Sequence, residues 1–182
     1  MGLMPNHCDN TLVITGPDVD IRRFIHITKC DDKEPYVIAQ HMPIPDDFKG
    51  DGWYTWCVNN WGTKWGDYET QLFKDVPDEA IFHYQTAWGP YSTDFLQKIS
   101  EPFPTLTFLM QYEERGMEFL GVVVVRNGEV LFDEGIGEIN LPEYNEDDED
   151  AYYDACNDTY LKEMDRLTLE AEQTYETNTT VS

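Results

Sequence analysis

Hydrophobic and polar positions alternate or recur at helical spacing along most of the first 132 residues. Thr11-Leu12-Val13-Ile14-Thr15 has the apolar, β-branched character of a strand, closed by Gly16-Pro17. A helix follows, with Asp18 and Asp20 suited to its N-terminal end and Lys29 to the other. Ile21, Phe24, Ile25 and Thr28 share one face. Residues 31–52 form a long connection, because Asp31-Asp32-Lys33-Glu34-Pro35 and Pro43-Ile44-Pro45-Asp46-Asp47 cannot continue a helix. Tyr36-Val37-Ile38-Ala39 reads as a short buried piece between them.

Residues 53–58 are expected to form a second strand. The third runs from Ala80 to Trp88, with Phe82, Tyr84, Thr86 and Trp88 on one face, and ends at Gly89-Pro90. Pro90 suits the first turn of a second helix that buries Phe95, Leu96 and Ile99 and stops before Pro102. Thr105–Tyr112 is a fourth strand, Glu113-Glu114-Arg115-Gly116 its turn, and Met117–Val125 a fifth. The fifth is apolar enough to be covered on both faces over part of its length. Asn127-Gly128 is a type I′ hairpin signal, so Val130-Leu131-Phe132 pairs back as a short sixth. Strand, helix, strand, strand, helix, strand and an added hairpin make the ferredoxin-like split βαβ pattern. This is an α+β fold, an antiparallel sheet with two helices on one face and insertions around the second strand, over residues 4–140.

The pattern changes after Leu141-Pro142. Glu143, Glu146, Asp147, Asp148, Glu149 and Asp150 form an acidic block that opens a segment, 141–182, with a helix near 150–172. Tyr153, Cys156, Tyr160, Met164, Leu167 and Ala171 recur every three or four residues and dock that helix on the domain. Its outer face then carries Asp154, Asp158, Glu163, Asp165, Glu170 and Glu172. Gln173–Ser182 is polar and expected to fray.

Charge sharpens this picture. The net charge is −24 with a pI near 4.1; residues 143–176 hold 13 acids and 2 bases (−11), the rest 23 and 10 (−13). Such a chain is repelled by nucleic acid and anionic membranes, and its expected partners are basic surfaces. Self-repulsion favours a monomer or weak dimer. The acidic surface expected to meet a partner comprises Asp147, Asp148, Asp150, Asp154, Asp158, Asp165, Glu170 and Glu172. Cys8, Cys30, Cys57 and Cys156 lack metal-ligand or redox spacing and read as reduced. With no signal-peptide pattern and no apolar run of membrane-span length, the expected location is the cytoplasm.

The densest aromatic run is Asn59-Asn60-Trp61-Gly62-Thr63-Lys64-Trp65-Gly66, preceded by Trp53, Tyr54 and Trp56 and followed by Tyr68. Packed against the sheet, Trp61 and Trp65 serve stability, with Gly62 in a tight turn. The alternative is a nucleotide or small-molecule pocket built from Asn60, Trp61, Thr63, Lys64, Trp65 and Asp67, with indoles stacking a base and Lys64 near a phosphate. Gly62-Thr63-Lys64 is no P-loop, since the upstream glycine is missing. His7, His26, His41 and His83 lack ligand spacing, and neither a catalytic constellation nor a cofactor motif stands out.

Two runs carry a family resemblance. Pro5-Asn6-His7-Cys8-Asp9-Asn10-Thr11-Leu12, with Gly16 after the strand, resembles the Pro-Asn-Trp-Cys-x-Asn-x-Leu opening of the phage and plasmid proteins with a YubB-type ferredoxin-like domain; His7 stands where that family has Trp. Asn60-Trp61-Gly62-Thr63-Lys64-Trp65 resembles its central motif. The resemblance covers about residues 4–132. It implies a ferredoxin-like fold and a mobile-element origin, and supplies no catalytic residues. Together with the charge, it leads to the expectation of a non-enzymatic accessory protein. Such a protein binds a basic surface of a host protein by nucleic-acid mimicry and inhibits a defence complex of the restriction or CRISPR kind.

Overall fold

A computed structural model describes residues 6–30, 35–144 and 148–179. Its elements are β1 (His7–Thr15), α1 (Asp18–Thr28), α2 (Trp53–Trp61), β2 (Tyr68–Val76), β3 (Glu79–Ala87), α3 (Thr93–Ser100), β4 (Thr107–Glu114), β5 (Phe119–Arg126), β6 (Glu129–Ile136) and α4 (Glu149–Thr179), with 3₁₀ turns at Ile38–His41 and Asp46–Phe48. The six strands form one sheet in the order β2-β3-β1-β4-β5-β6, each pair antiparallel. The β4-β1-β3-β2 part is the ferredoxin-like arrangement, and the β5–β6 hairpin extends it beyond β4.

Strand alternation divides two cores. Leu12, Ile14, Phe82, Phe108, Val123 and Val125 point to one face, where α1 and α3 add Phe24, Ile25, Phe95, Leu96 and Ile99. Leu120, Val122 and Val124 point to the other and meet Tyr160, Leu167 and Ala171 of α4. β5 is therefore covered on both faces, as its unbroken apolar run requires. The turn at Asn127-Gly128 has φ of 50° and 75°, the two left-handed residues of a type I′ hairpin.

The structure corrects the sequence reading at several places. Residues 53–58 are helical, not a strand. Cys57 and Trp61, four apart, are buried on one side of α2, and Gly62 ends it at φ +80°. The second strand is instead Tyr68–Val76, an edge strand whose polar, largely exposed side chains and irregular register give little apolar alternation. Trp88 lies beyond β3, at φ +75°, and its ring is 46% exposed rather than inward. Ser92, not Pro90, starts α3: its hydroxyl accepts from the Phe95 amide at 3.2 Å. β4 begins at Thr107 and reaches Glu114, whose carboxylate accepts from the Gly116 and Met117 amides and so closes the turn itself. Tyr153, expected on the docked stripe of the last helix, is exposed.

Among the described residues no helix is long and apolar enough to cross a membrane. All four cysteines are free. Cys8 and Cys57 are buried, Cys30 is exposed, and Cys156 is half-buried.

Candidate functional site

The Trp-rich run is held by its own interior bonds. The Trp61 indole is buried, donates from Nε1 to the Met42 carbonyl at 3.0 Å, and meets Trp56 edge to face at 5.2 Å. The Trp61 carbonyl accepts from the Ser92 amide at 2.8 Å, tying the end of α2 to the start of α3. Gly62 sits so close that a Cβ there would lie 2.9 Å from the Ser92 Cβ. Asn60 donates to the Trp56 carbonyl at 2.9 Å, and buried Thr63 donates to the Trp65 carbonyl at 2.6 Å.

Asp67 is the buried carboxylate of this region. Oδ1 accepts from the Ala39 amide (2.9 Å) and the Tyr91 hydroxyl (2.5 Å). Oδ2 accepts from the Ile38 amide (2.9 Å) and the Thr70 hydroxyl (2.5 Å). A negative charge that receives four donors is anchored and needs no ligand. Its role is to cap the 3₁₀ turn at Ile38–His41. Burial, with the Asp67 charge beside it, pushes the Tyr91 phenol well above its ordinary range.

Of the six residues named for an alternative pocket, Asn60, Trp61, Thr63 and Asp67 are thus committed to the fold. Lys64 and Trp65 stay at the surface. The Lys64 ammonium lies 5.0 Å from the Trp65 ring centre and 5.2 Å from that of Trp88, a bracketed cation–π contact. Trp65, expected to be buried, is only half-buried. Trp53, Tyr54 and Trp88 form an exposed aromatic edge beside it that sequence reasoning had placed in strands.

Three of the histidines and the Cys8 thiol have local partners. His83 shares a hydrogen bond with Thr11 Oγ1 at 3.0 Å, and His7 bonds the Tyr68 hydroxyl. His41 stacks on Phe24 at 3.9 Å, and burial pushes its imidazole down to about 4. Burial pushes the Cys8 thiol up to about 12, so it is protonated and unreactive at neutral pH. Among the described residues no three His, Cys, Asp or Glu side chains cluster as a metal site.

The acidic helix has a different geometry. α4 is 31 residues long, about 46 Å at ~1.5 Å per residue. At ~100° per residue, Asp154, Asp158, Asp165 and Glu172 fall within about 40° of one another, roughly a third of a turn from the buried stripe. All four are exposed, and among the described residues none has an ion-pair partner. Asp148 and Asp150 are exposed at the helix start, where Asp148 accepts from the Ala151 amide at 3.1 Å. Glu170 departs from expectation: it is half-buried and paired with Arg166 at 2.8 Å, as Glu163 is at 3.0 Å. Asp147 lies outside the described residues.

α4 lies over β5 and β6, and Thr168 reaches Gln111 of β4 at 2.8 Å. It leaves the same face of β1, β3 and β2 open. Along that seam lies a groove of about 370 Å³ lined by Asp9, Thr11, His83, Glu113, Leu161 and Met164 among others, and a second cavity of about 340 Å³ is lined by Val13, Glu79 and Glu172 among others. The groove's acids, Asp9, Glu69 and Glu113, outnumber its one arginine, Arg115, which is itself paired with Glu113. The open half of this face was invisible to the linear pattern, because nothing in a single strand's alternation says how far a later helix will reach.

Comparisons with known proteins agree with this architecture. The family model described as the ferredoxin-like domain in Api92-like protein matches residues 60–156, 97 of 182 positions. The crystal structure of protein api92 from Yersinia pseudotuberculosis is similar at TM-score 0.52 and 11% identity, covering 78% of this chain and 100% of that one. At that identity the likeness is one of fold. No curated protein matches the chain in sequence.

Proposed function

The chain belongs to the family of the ferredoxin-like domain in Api92-like protein, and from that premise we propose that it is a non-enzymatic accessory protein that binds a basic surface of another protein. The observation that carries this reading is the row Asp154, Asp158, Asp165 and Glu172: helical, exposed, aligned, and without ion-pair partners among the described residues. Carboxylates left unpaired on an ordered helix repel one another, and a cationic partner removes that repulsion.

Magnitude decides how far mimicry of nucleic acid goes. Between Glu149 and Glu172 the helix carries 8 acids and 2 bases, a net −6 over 24 residues, or one charge per ~6 Å. A duplex carries one per ~1.7 Å. The helix alone is therefore a sparse track, and Asp9, Glu69 and Glu113 on the adjoining sheet face add to it. On this basis the partner is a nucleic-acid-binding protein of a host, engaged over its basic groove. The biological setting we propose is a phage- or plasmid-borne inhibitor of a restriction or CRISPR complex, acting in the host cytoplasm.

The test is capture from a bacterial lysate by the full chain. A specific partner is expected at about 0.1 M salt and its loss at about 1 M, as the screening length falls from about 10 Å to about 3 Å. DNA or RNA should compete for the same partner. Reversing Asp154, Asp158, Asp165 and Glu172 to Lys should abolish capture while leaving the thermal transition in place. Salt-indifferent capture, or capture undiminished by the reversal, refutes the proposal.

A further inference from the structure

We propose that the open half of the sheet face beside α4 is a docking groove for a cationic amphipathic helix presented by the partner protein. This rests on the basic-surface reading above and gives it a location. The six-stranded sheet has one face filled by α1, α2 and α3 and the other only partly covered, by α4 over β5 and β6. The uncovered strands β1, β3 and β2 span two strand spacings, about 10 Å, and a helix with its side chains is about 10–12 Å across. The space takes one further helix, parallel to the seam.

Length and chemistry agree. The run of β1 from Asp9 to Thr15 is about 20 Å long, which corresponds to about 13 helical residues. The floor is amphipathic: Val13 and Ile81 are half-buried, and Phe73, 73% exposed, packs edge to face on His83 at 4.9 Å. On the α4 side Leu161 is 58% exposed at the groove wall. These apolar groups lie in a surround of Asp9, Glu69, Glu113, Glu79 and Glu172, against which Lys74 and Arg115 are already paired with Glu79 and Glu113. An apolar floor within an acidic surround fits a helix with an apolar stripe and Lys or Arg on its flanks. A second copy of this chain is disfavoured as occupant, since each brings a charge of −24.

The experiment uses the full chain and two synthetic peptides of about 14 residues and identical Leu/Lys composition. In one the leucines recur at i, i+3, i+4 and i+7; in the other they are scattered around the wheel. At about 0.1 M salt the amphipathic peptide should bind about tenfold more tightly by fluorescence anisotropy. Amide shifts on binding should map to Thr11, Val13, Ile81 and His83. The double substitution Phe73→Lys with Leu161→Lys, at two exposed positions, should remove that tenfold preference with the circular dichroism spectrum unchanged. Equal affinity for both peptides, shifts confined to other surfaces, or a preference that survives the double substitution overturns the groove. If in that case both peptides still bind in a salt-dependent way and the α4 charge reversal releases them, the basic-surface reading stands without the groove. If neither peptide binds even at low salt, both readings fall. Dimerisation through this face in sedimentation also overturns the proposal, because it names a different occupant.

Discussion

Replacing Asp67 by Asn changes almost no volume but removes the charge on which four donors converge. In the native protein each carboxylate oxygen accepts one backbone amide and one hydroxyl. Asn keeps one oxygen. Whichever way its amide is turned, an NH₂ group faces the N–H of Ile38 or of Ala39, both of them buried residues. The facing hydroxyl, of Thr70 or Tyr91, can rotate to accept, so one backbone donor is left unpaired. A hydrogen bond to a charged acceptor contributes about 1.5–3 kcal/mol, and an orphaned buried donor costs about 1–3 kcal/mol; the contributions overlap, giving a loss of roughly 3 kcal/mol. Asp67→Ala orphans both amides and should cost roughly 5 kcal/mol. For a chain of this size each kcal/mol lowers Tm by about 2–4 °C, so Asp67→Asn should melt about 6–12 °C lower. Urea unfolding with an unchanged m-value checks the free energy, and amide exchange at Ile38 and Ala39 checks its location. A change within about 0.5 kcal/mol, small enough for a surface substitution, would refute the capping role.

Two further outcomes follow from burial. Trp61→Ala should cost about 3–5 kcal/mol, as expected for a buried indole whose Nε1 is bonded, whereas half-buried Trp65→Ala should cost less than half as much; paired melting curves test the order. The His41 imidazole has a folded pKa of about 4 against 6.5 for the free side chain. Below about 6.5 the unfolded chain binds a proton that the folded chain refuses, so this contribution is present above that pH and lost as pH falls toward about 4. His41→Gln should flatten the slope of stability between about pH 6.5 and about pH 4; an unchanged slope in denaturant titrations counts against it.

How much of this protein could be read from its sequence depends on where each element packs. The alternation in β1 and β3, the amphipathic faces of α1 and α3, the apolar run of β5 and the Asn127-Gly128 turn follow from periodicity, because burial on one or two faces writes itself into neighbouring residues. The element order led to the ferredoxin-like fold even though its second strand was drawn at residues 53–58, which are helical, and not at Tyr68–Val76. β2 was missed because an edge strand with an exposed face has little burial to record, and α2 was misread because aromatic residues favour strands in isolation while Cys57 and Trp61 are held by tertiary contacts.

The candidate sites divide in the same way. Charge and its concentration in the C-terminal segment are sequence properties, and so is the row of α4 carboxylates, since helical phase fixes which residues align. Asp67, by contrast, is marked in the sequence only by its place beside the Trp-rich run; its pairing with amides 28 and 29 residues away is not written in the chain around it. Only the folded chain shows that it is satisfied internally, that Glu170 is tied to Arg166, and that Trp88 turns outward past the end of its strand. The groove beside α4 is likewise a property of the sheet. The sequence sets the apolar stripe by which α4 docks, but which strands that stripe covers, and which it leaves bare, is decided by packing between segments far apart in the chain.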